Sequence, residues 1–426
     1  MGSYTGSMTG TAQNRPNAAA SSGEDSRRPA PWQRMAAGGG LLDPSGQLRS
    51  TVFEEMTALA RRTGSVNLGQ GFPDFDPPAE MVAAAVDALH AGHHQYAPIV
   101  GVPALREAVA THQREHYGLD LDPDGQVIVC AGAAEGMTAA LLSLLQPGDE
   151  VVVFEPHYDL YGAVVEFAGA TTVPVPLLPP AFVPDPDDVR AAFSPRTRAV
   201  ILNDPHNPTG TVASRGFKQQ LVELATEFDA VILTDEVYEH LRYDGPHEPI
   251  AQLPGAAGRT LAVSSAGKTF SATGWRVGWV SGPRDLVQGV TAVKTYLSHS
   301  AAAPLQHAVA SVLTSPAGFY ERLLEDYRER RDVLVSGLHA AGLNPPMPEG
   351  TFFAVADVSD LYPLAGVQDA EGLAHHWAET VGVVGIPVSA FVGPGNRGLY
   401  SDWLRLAFCK RTDVLRGAMA GLGASV

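Results

Sequence analysis

Lys218, Lys268, Lys294 and Lys410 are the only lysines among 29 basic residues, so chemistry that needs a primary amine has four candidates. Lys268 sits in a run of small residues, Ser264-Ser265-Ala266-Gly267-Lys268, that closes the apolar stretch TLAVSS (260–265). Two earlier stretches end in a similar way. AVIL (199–202) runs into Asn203-Asp204-Pro205-His206-Asn207-Pro208-Thr209-Gly210, and AVIL (230–233) runs into Thr234-Asp235-Glu236-Val237-Tyr238. Taken singly these are a turn, a helix cap and a solvated loop. Open α/β sheets, however, bind ligands at the carboxyl ends of their strands, and here three successive strands end in an amide, a carboxylate with a phenol, and an amine. An amine held there could act as a nucleophile and carry a proton. Lys218 in a polar amphipathic helix, Lys294 in a predicted helix and Lys410 beside Arg411 are expected to point to solvent.

These stretches belong to a βαβ alternation. The amphipathic segment 214–228 lies between the first two strands, which predicts a mostly parallel sheet sandwiched by helices. Helical patterns occur at 51–62, 79–91, 103–117 and 134–145, a further strand at 151–154, and long helices over 283–337. Residues 66–78 (VNLGQGFPDFDPP) must be irregular. The expected organisation is a flexible N-terminal extension over 1–48, then an arm over 49–78 that joins the small domain. A large α/β domain follows over 79–337, and a smaller α+β domain over 338–426.

A net charge of −17 argues against nucleic acid or an anionic membrane surface as a partner. No apolar run is long enough to span a bilayer, the N-terminus has no signal-peptide pattern, and the only cysteines are Cys130 and Cys409. A reducing cytoplasm suits such a chain. His112-Gln113-Arg114-Glu115-His116 fits an H-x-x-E-H zinc pattern, but it lies on a polar helix without an identifiable third ligand, so no metal is expected. His93-His94 and His375-His376 read as surface or packing residues. His157 could touch a ligand or serve packing.

The three strand ends, with QYAP and the following G.P.LREAVA (95–110), QPGDEVVVFEP.YD.Y (146–161), PRTRAVILN (195–203) and IPVSAF (386–391), resemble the fold-type-I aminotransferases, which depend on pyridoxal 5′-phosphate (PLP). Within that family the chain is similar to the kynurenine, glutamine and methionine group, and also to actinobacterial N-succinyldiaminopimelate aminotransferase. The resemblance implies a Schiff base between PLP and Lys268. It puts Asp235 at the pyridine nitrogen, Tyr238 and Asn207 at the ring hydroxyl, and Tyr158 against the ring. Arg276, Ser265 and the backbone of Ala133 and Ala134 would hold the phosphate, joined by Tyr96 from a neighbouring subunit, which implies a homodimer with shared active sites. Arg405 would clamp the substrate carboxylate, Gly71 would let the backbone approach it, and Phe53 would form an aromatic lid.

The implied reaction is a ping-pong amino transfer between an L-amino acid and a 2-oxo acid. The amino donor would have a neutral, aromatic or long side chain. The same cofactor could instead serve β-elimination, replacement or cyclisation. A non-catalytic PLP-binding regulator would need a DNA-reading module, and residues 1–48 show no helix-turn-helix pattern. At Ser300-Ala301-Ala302-Ala303-Pro304-Leu305-Gln306 the kynurenine type carries an aromatic residue and a histidine. The alanines here imply a small apolar wall contributed by the partner subunit.

Overall fold

A computed structural model describes residues 29–43, 45–314 and 318–424. The strands in chain order are β1 (Val66–Asn67), β2 (Val127–Cys130), β3 (Glu150–Glu155), β4 (Thr171–Pro176), β5 (Thr197–Asn203), β6 (Val231–Asp235), β7 (Thr260–Ser265) and β8 (Gly278–Ser281). β2 to β8 make one seven-stranded sheet in the order β2-β8-β7-β6-β5-β3-β4, in which only β8 runs antiparallel to its neighbours. Its alternating residues explain why it needs helices on both sides. Val151, Val153, Ile201 and Leu233 face one hydrophobic core, while Val152, Val200, Leu202 and Ile232 face another.

After the long helix Gly318–Ala340 come β9 (Phe353–Asp357), β10 (Val383–Val384), β11 (Ile386–Pro387) and β12 (Trp403–Ala407). β11, β12 and β9 form an antiparallel three-stranded sheet. β1 pairs in parallel with β10, so the segment after the helix Val52–Thr63 is stitched into the C-terminal region. That helix starts at a capping box. Thr51 Oγ1 accepts from the Glu54 N–H at 3.1 Å, and the Glu54 carboxylate accepts from the Thr51 N–H at 3.0 Å.

Of the extension expected over 1–48, residues 1–28 lie outside the described residues. Residues Pro31–Gly38 form a helix packed on the helix Leu160–Ala168, which corrects the expectation of a flexible segment there. Two glycines allow the contact: a Cβ on Gly38 would overlap the Gly162 carbonyl, and one on Gly162 would lie 2.5 Å from the Gly38 carbonyl. The expected long helices of 283–337 appear as three, Arg284–Lys294, Ala303–Leu313 and Gly318–Ala340. Among the described residues no helix is long and apolar enough to cross a membrane.

Candidate active site

The carboxyl ends of β5 and β6 are tied together by Asn203. Its Nδ2 donates to the Asp235 carbonyl at 2.8 Å, and its Oδ1 accepts from the Asn207 N–H at 2.8 Å. The Asp235 side chain accepts a hydrogen bond from the Tyr161 hydroxyl at 2.7 Å. Burial raises the Asp235 pKa, with the Tyr161 hydrogen bond and the Lys268 charge opposing it. Tyr158, three residues before Tyr161, meets it edge to face at 5.9 Å between ring centres. Burial pushes the Tyr158 phenol up to about 12, so its ring is neutral. Tyr238 lies in a turn over residues 237–240. It packs edge to face on Phe352 at 5.2 Å.

All four lysines are held by the protein, which overturns the expectation that three point to solvent. Lys218 forms a buried ion pair with Asp204 at 2.6 Å and also donates to the Glu248 carbonyl. Lys294 donates to the carbonyls of Ile99 and His299, and Lys410 to that of Phe72. Each side chain reaches inward because its charge meets carbonyls or a carboxylate there, a long-range match that periodicity does not reveal. Lys268 differs in being only half-buried; like Lys294 and Lys410 it has no carboxylate at ion-pair distance among the described residues. Its amine donates once, to the Gly71 carbonyl at 3.1 Å, and lies 5.7 and 5.4 Å from the ring centres of Tyr238 and Phe352. Burial lowers its pKa to about 8, and the charges of Arg405 and Arg276 act in the same direction.

Arg405 on β12 is 1% exposed. Its Nη1 donates to Asn207 Oδ1 at 2.8 Å and its Nη2 to the Gly69 carbonyl at 2.6 Å, while Nε has no partner among the described residues. The guanidinium carbon lies 4.1, 4.5 and 5.7 Å from the ring centres of Phe353, Phe391 and Phe53. Burial lowers the Arg405 pKa to about 9, which leaves it charged at neutral pH. Gly71 is pressed on the same rings, since a Cβ there would be 2.5 Å from Phe353 Cζ.

A second cationic corner forms where the helix Ala133–Leu144 begins. Gly132 before it has φ +81°, and a Cβ at that position would overlap the Arg276 guanidinium. Arg276 itself is left-handed at φ 54°, and its only hydrogen bond among the described residues goes to the Thr273 carbonyl at 3.2 Å. The first N–H groups of this helix, at Ala133 and Ala134, therefore open beside an exposed guanidinium, an arrangement that suits an anion. Ser265, buried at the end of β7, makes no side-chain capping bond. Tyr96 is elsewhere, 84% exposed, its ring edge to face with His299 at 5.4 Å.

A family model for aminotransferase classes I and II matches residues 63–420. The chain belongs to that family. It is an aminotransferase, an enzyme that moves an amino group between amino acids and oxo acids. Members of the family depend on PLP. The solved N-succinyldiaminopimelate aminotransferase of Mycobacterium tuberculosis is 45% identical, with a TM-score of 0.84 over 88% of this chain and 97% of that one. Methionine aminotransferase of Escherichia coli is 37% identical over 87% of this chain and 95% of its own length. Aspartate aminotransferase of Thermus thermophilus, solved with maleate, is 35% identical with a TM-score of 0.81, covering 89% and 97%.

Sequence reasoning missed several residues of this aminotransferase pocket. Tyr161 follows Tyr158 by three residues, but it lies inside the helix Leu160–Ala168 and Tyr158 before it, so no shared helical face marked it. Asn203 stood in a strand end already singled out, but its tie between β5 and β6 did not show; Gly69, Phe352, Phe353 and Phe391 reach the pocket from the irregular segment or the C-terminal region, with no local signal. The cavity beside Phe53 and Phe391, about 800 Å³, is lined by Arg49 and Arg397 and by carboxylates that include Glu55, Asp159 and Glu371. Part of its wall is the docked segment Ala37–Leu41. Of the alanine run, Ala301 and Ala303 are buried in this chain's own core and only Ala302 is exposed, so a partner-facing wall would present one of the three.

Proposed function

We propose that Lys268 binds PLP covalently and that the enzyme transfers amino groups by a ping-pong mechanism in a cytoplasmic homodimer. The observation that carries this reading is the Lys268 amine itself: alone among the four lysines it is only half-buried and so open to a ligand, it donates only to the Gly71 carbonyl, and it is lowered to about 8 by its surroundings. An amine so placed is available as a nucleophile and as a proton carrier. The fit to PLP rests on two further observations. The Gly132–Arg276 corner supplies N–H groups and a guanidinium for a phosphate, with the Ser265 hydroxyl adjoining. The Asp235 carboxylate, raised by burial, calls for a positive partner. When bound, PLP supplies a ring that withdraws electrons from the amino acid Cα.

The protein's own residues do the rest. Asp235, steadied by Tyr161, would hold a negative charge toward the ring nitrogen, and Tyr158 would lie against the ring. Tyr238 and Asn207 supply a hydroxyl and an amide for the ring hydroxyl. Arg405 grips the substrate α-carboxylate, with Asn207 and the Gly69 carbonyl fixing the plane of its fork and Phe53, Phe353 and Phe391 keeping water away. Freed once the substrate amine takes its place, Lys268 Nζ would take the proton from the substrate Cα and hand it to the cofactor's aldehyde carbon, with the reverse transfer in the opposite half-reaction. Tyr96, exposed on its own chain, is available to a partner's phosphate corner. Residues 79–337 are the cofactor-bearing domain in this reading, with 49–78 and 338–426 forming the smaller one.

For the amino donor we favour a long polar side chain over a compact aromatic one. The large cavity beside the rings over Arg405 supports this, as does the 45% identity to an enzyme named for N-succinyldiaminopimelate. A panel of donors tested against 2-oxoglutarate checks it. Long polar donors should exceed kynurenine by tenfold or more in kcat/KM, and a preference for kynurenine would refute the choice.

A further inference from the structure

The turn that carries Tyr238 also carries Glu239 and His240, and these two side chains meet the helix Pro103–Tyr117. His112 Nε2 and His240 Nε2 are 2.7 Å apart. The ring of His116, one helical turn after His112, lies 4.6 Å from that of His112 and 5.2 Å from that of His240, centre to centre. One ligand atom each from His112, Glu239 and His240 falls within 4.8 Å of the others. His112 is 1% and Glu239 4% exposed, whereas His116 is exposed and opens the group to solvent. The third and fourth ligands that the H-x-x-E-H segment lacked in sequence are thus delivered from a residue stretch more than a hundred positions away.

The charge balance of this group is incomplete. Glu236 and Glu239 are both buried, and among the described residues neither pairs with a lysine or arginine. Glu239 accepts from the Ser264 hydroxyl at 2.5 Å and interacts with the Tyr117 hydroxyl; Glu236 has His247 at 3.3 Å. A buried carboxylate without a cation is costly and tends to take up a proton. Burial and the neighbouring Glu236 push Glu239 up to about 7. Burial also lowers His112 to about 3 and His240 well below the ordinary range, so both imidazoles are neutral. His112 Nδ1 is buried without a partner among the described residues. Neutral imidazoles beside a carboxylate that lacks a counter-charge form a nitrogen and oxygen donor set suited to a zinc-like ion.

We propose that His112, Glu239 and His240 bind one divalent transition-metal ion of the zinc class, with His116, whose nitrogens lie outside that group of three, turning in from the solvent side to complete the set. Ligand atoms about 2.0–2.2 Å from such an ion stand about 3.3 Å apart in tetrahedral geometry. The His112–His240 contact must therefore widen by about half an ångström, and the ring that now donates must change tautomer, its Nε2 proton being exchanged for one on Nδ1, so that both imidazoles meet the ion as neutral ligands. Ser264 and Tyr117 would support Glu239 through its other contacts. The ion would pin the turn bearing Tyr238 to the neighbour of Ser265, so the site adjoins the amino-transfer pocket without depending on how that pocket is read.

The holoenzyme, stripped with a chelator and dialysed against Zn²⁺ or Co²⁺, tests this. The expected result is one ion per chain, a visible Co²⁺ spectrum of a four-coordinate nitrogen/oxygen site, and a thermal midpoint that rises with Zn²⁺. Affinity should fall about 10-fold in His116→Ala and about 100-fold in His240→Gln. It should be unchanged in His93→Ala, whose ring packs on His307 elsewhere. Absence of bound Zn²⁺, or binding that survives both His116→Ala and His240→Gln, overturns the proposal. Should a buried variant not fold, the wild-type protein decides: no rise in midpoint at saturating Zn²⁺ is equally contrary.

Discussion

At the scale of the residue, three buried amines, one half-buried amine and one buried guanidinium differ in what neutralises them. Lys218 meets a carboxylate at 2.6 Å, whereas Lys268 meets one carbonyl and two ring faces. A pKa near 8 has a direct kinetic consequence. Below pH 8 most Lys268 amines are protonated and cannot attack an aldehyde. The rate at which the cofactor-free enzyme combines with PLP should therefore rise about tenfold per pH unit up to about 8 and flatten above it. A rate still climbing at pH 10 would indicate an ordinary lysine. For Arg405 the planar fork matters as much as the charge, since two of its nitrogens are already oriented by Asn207 and Gly69. Replacement by lysine should raise KM for the amino donor about 10- to 100-fold, from about 1.5–3 kcal/mol of lost charge-assisted bonding, with PLP uptake nearly unchanged. Steady-state kinetics beside the absorbance of bound PLP separate the two effects. The site residues on strand ends were legible because each follows an apolar strand. Tyr161 and the aromatic residues over Arg405 were not, since nothing local distinguishes a pocket aromatic from a core one.

At the scale of the element, the long apolar strands at 150–155, 197–203, 231–235 and 260–265 carried their own signal, and the helices between them were equally plain. Three further strands were silent for physical reasons. β4 reads TTVPVP, and its prolines suit only the sheet edge where it lies. β2 and β8 have four residues each, too short for periodicity, and β8 opens on Gly278, where a Cβ would meet the Ala133 N–H nitrogen at 2.7 Å. The segment 66–78 was expected to be irregular, and its role is to bring the Gly71 carbonyl to Lys268 beneath Phe353. Gly71→Ala should lower stability by about 1–3 kcal/mol through overpacking and shift the absorbance of the bound cofactor. Denaturant unfolding together with the visible spectrum reads both, and an unchanged spectrum would separate this segment from the site.

At the scale of the whole molecule, the pocket draws on two regions distant in sequence, since Arg405 and the Phe352–Phe353 pair come from the C-terminal strands and Lys268 from the central sheet. The docked helix Pro31–Gly38 then closes one wall of the neighbouring cavity, which no composition argument about the N-terminus could anticipate. Tyr96 at 84% and Tyr296 at 90% exposure are large aromatic surfaces left open on one chain. They suit a second copy, so sedimentation of the holoenzyme should give a dimer. Tyr96→Phe should weaken PLP binding about tenfold without altering the folded state, a loss of about 1.4 kcal/mol. A monomeric holoenzyme with full activity would contradict a shared site.

The central claim is the covalent role of Lys268, and borohydride reduction of the holoenzyme followed by peptide mapping reads it directly. One reduced phosphopyridoxyl group per chain is expected, on Lys268, and none in Lys268→Ala. A group found on Lys218, Lys294 or Lys410, or a Lys268→Ala enzyme that still transaminates at the full rate, would contradict it.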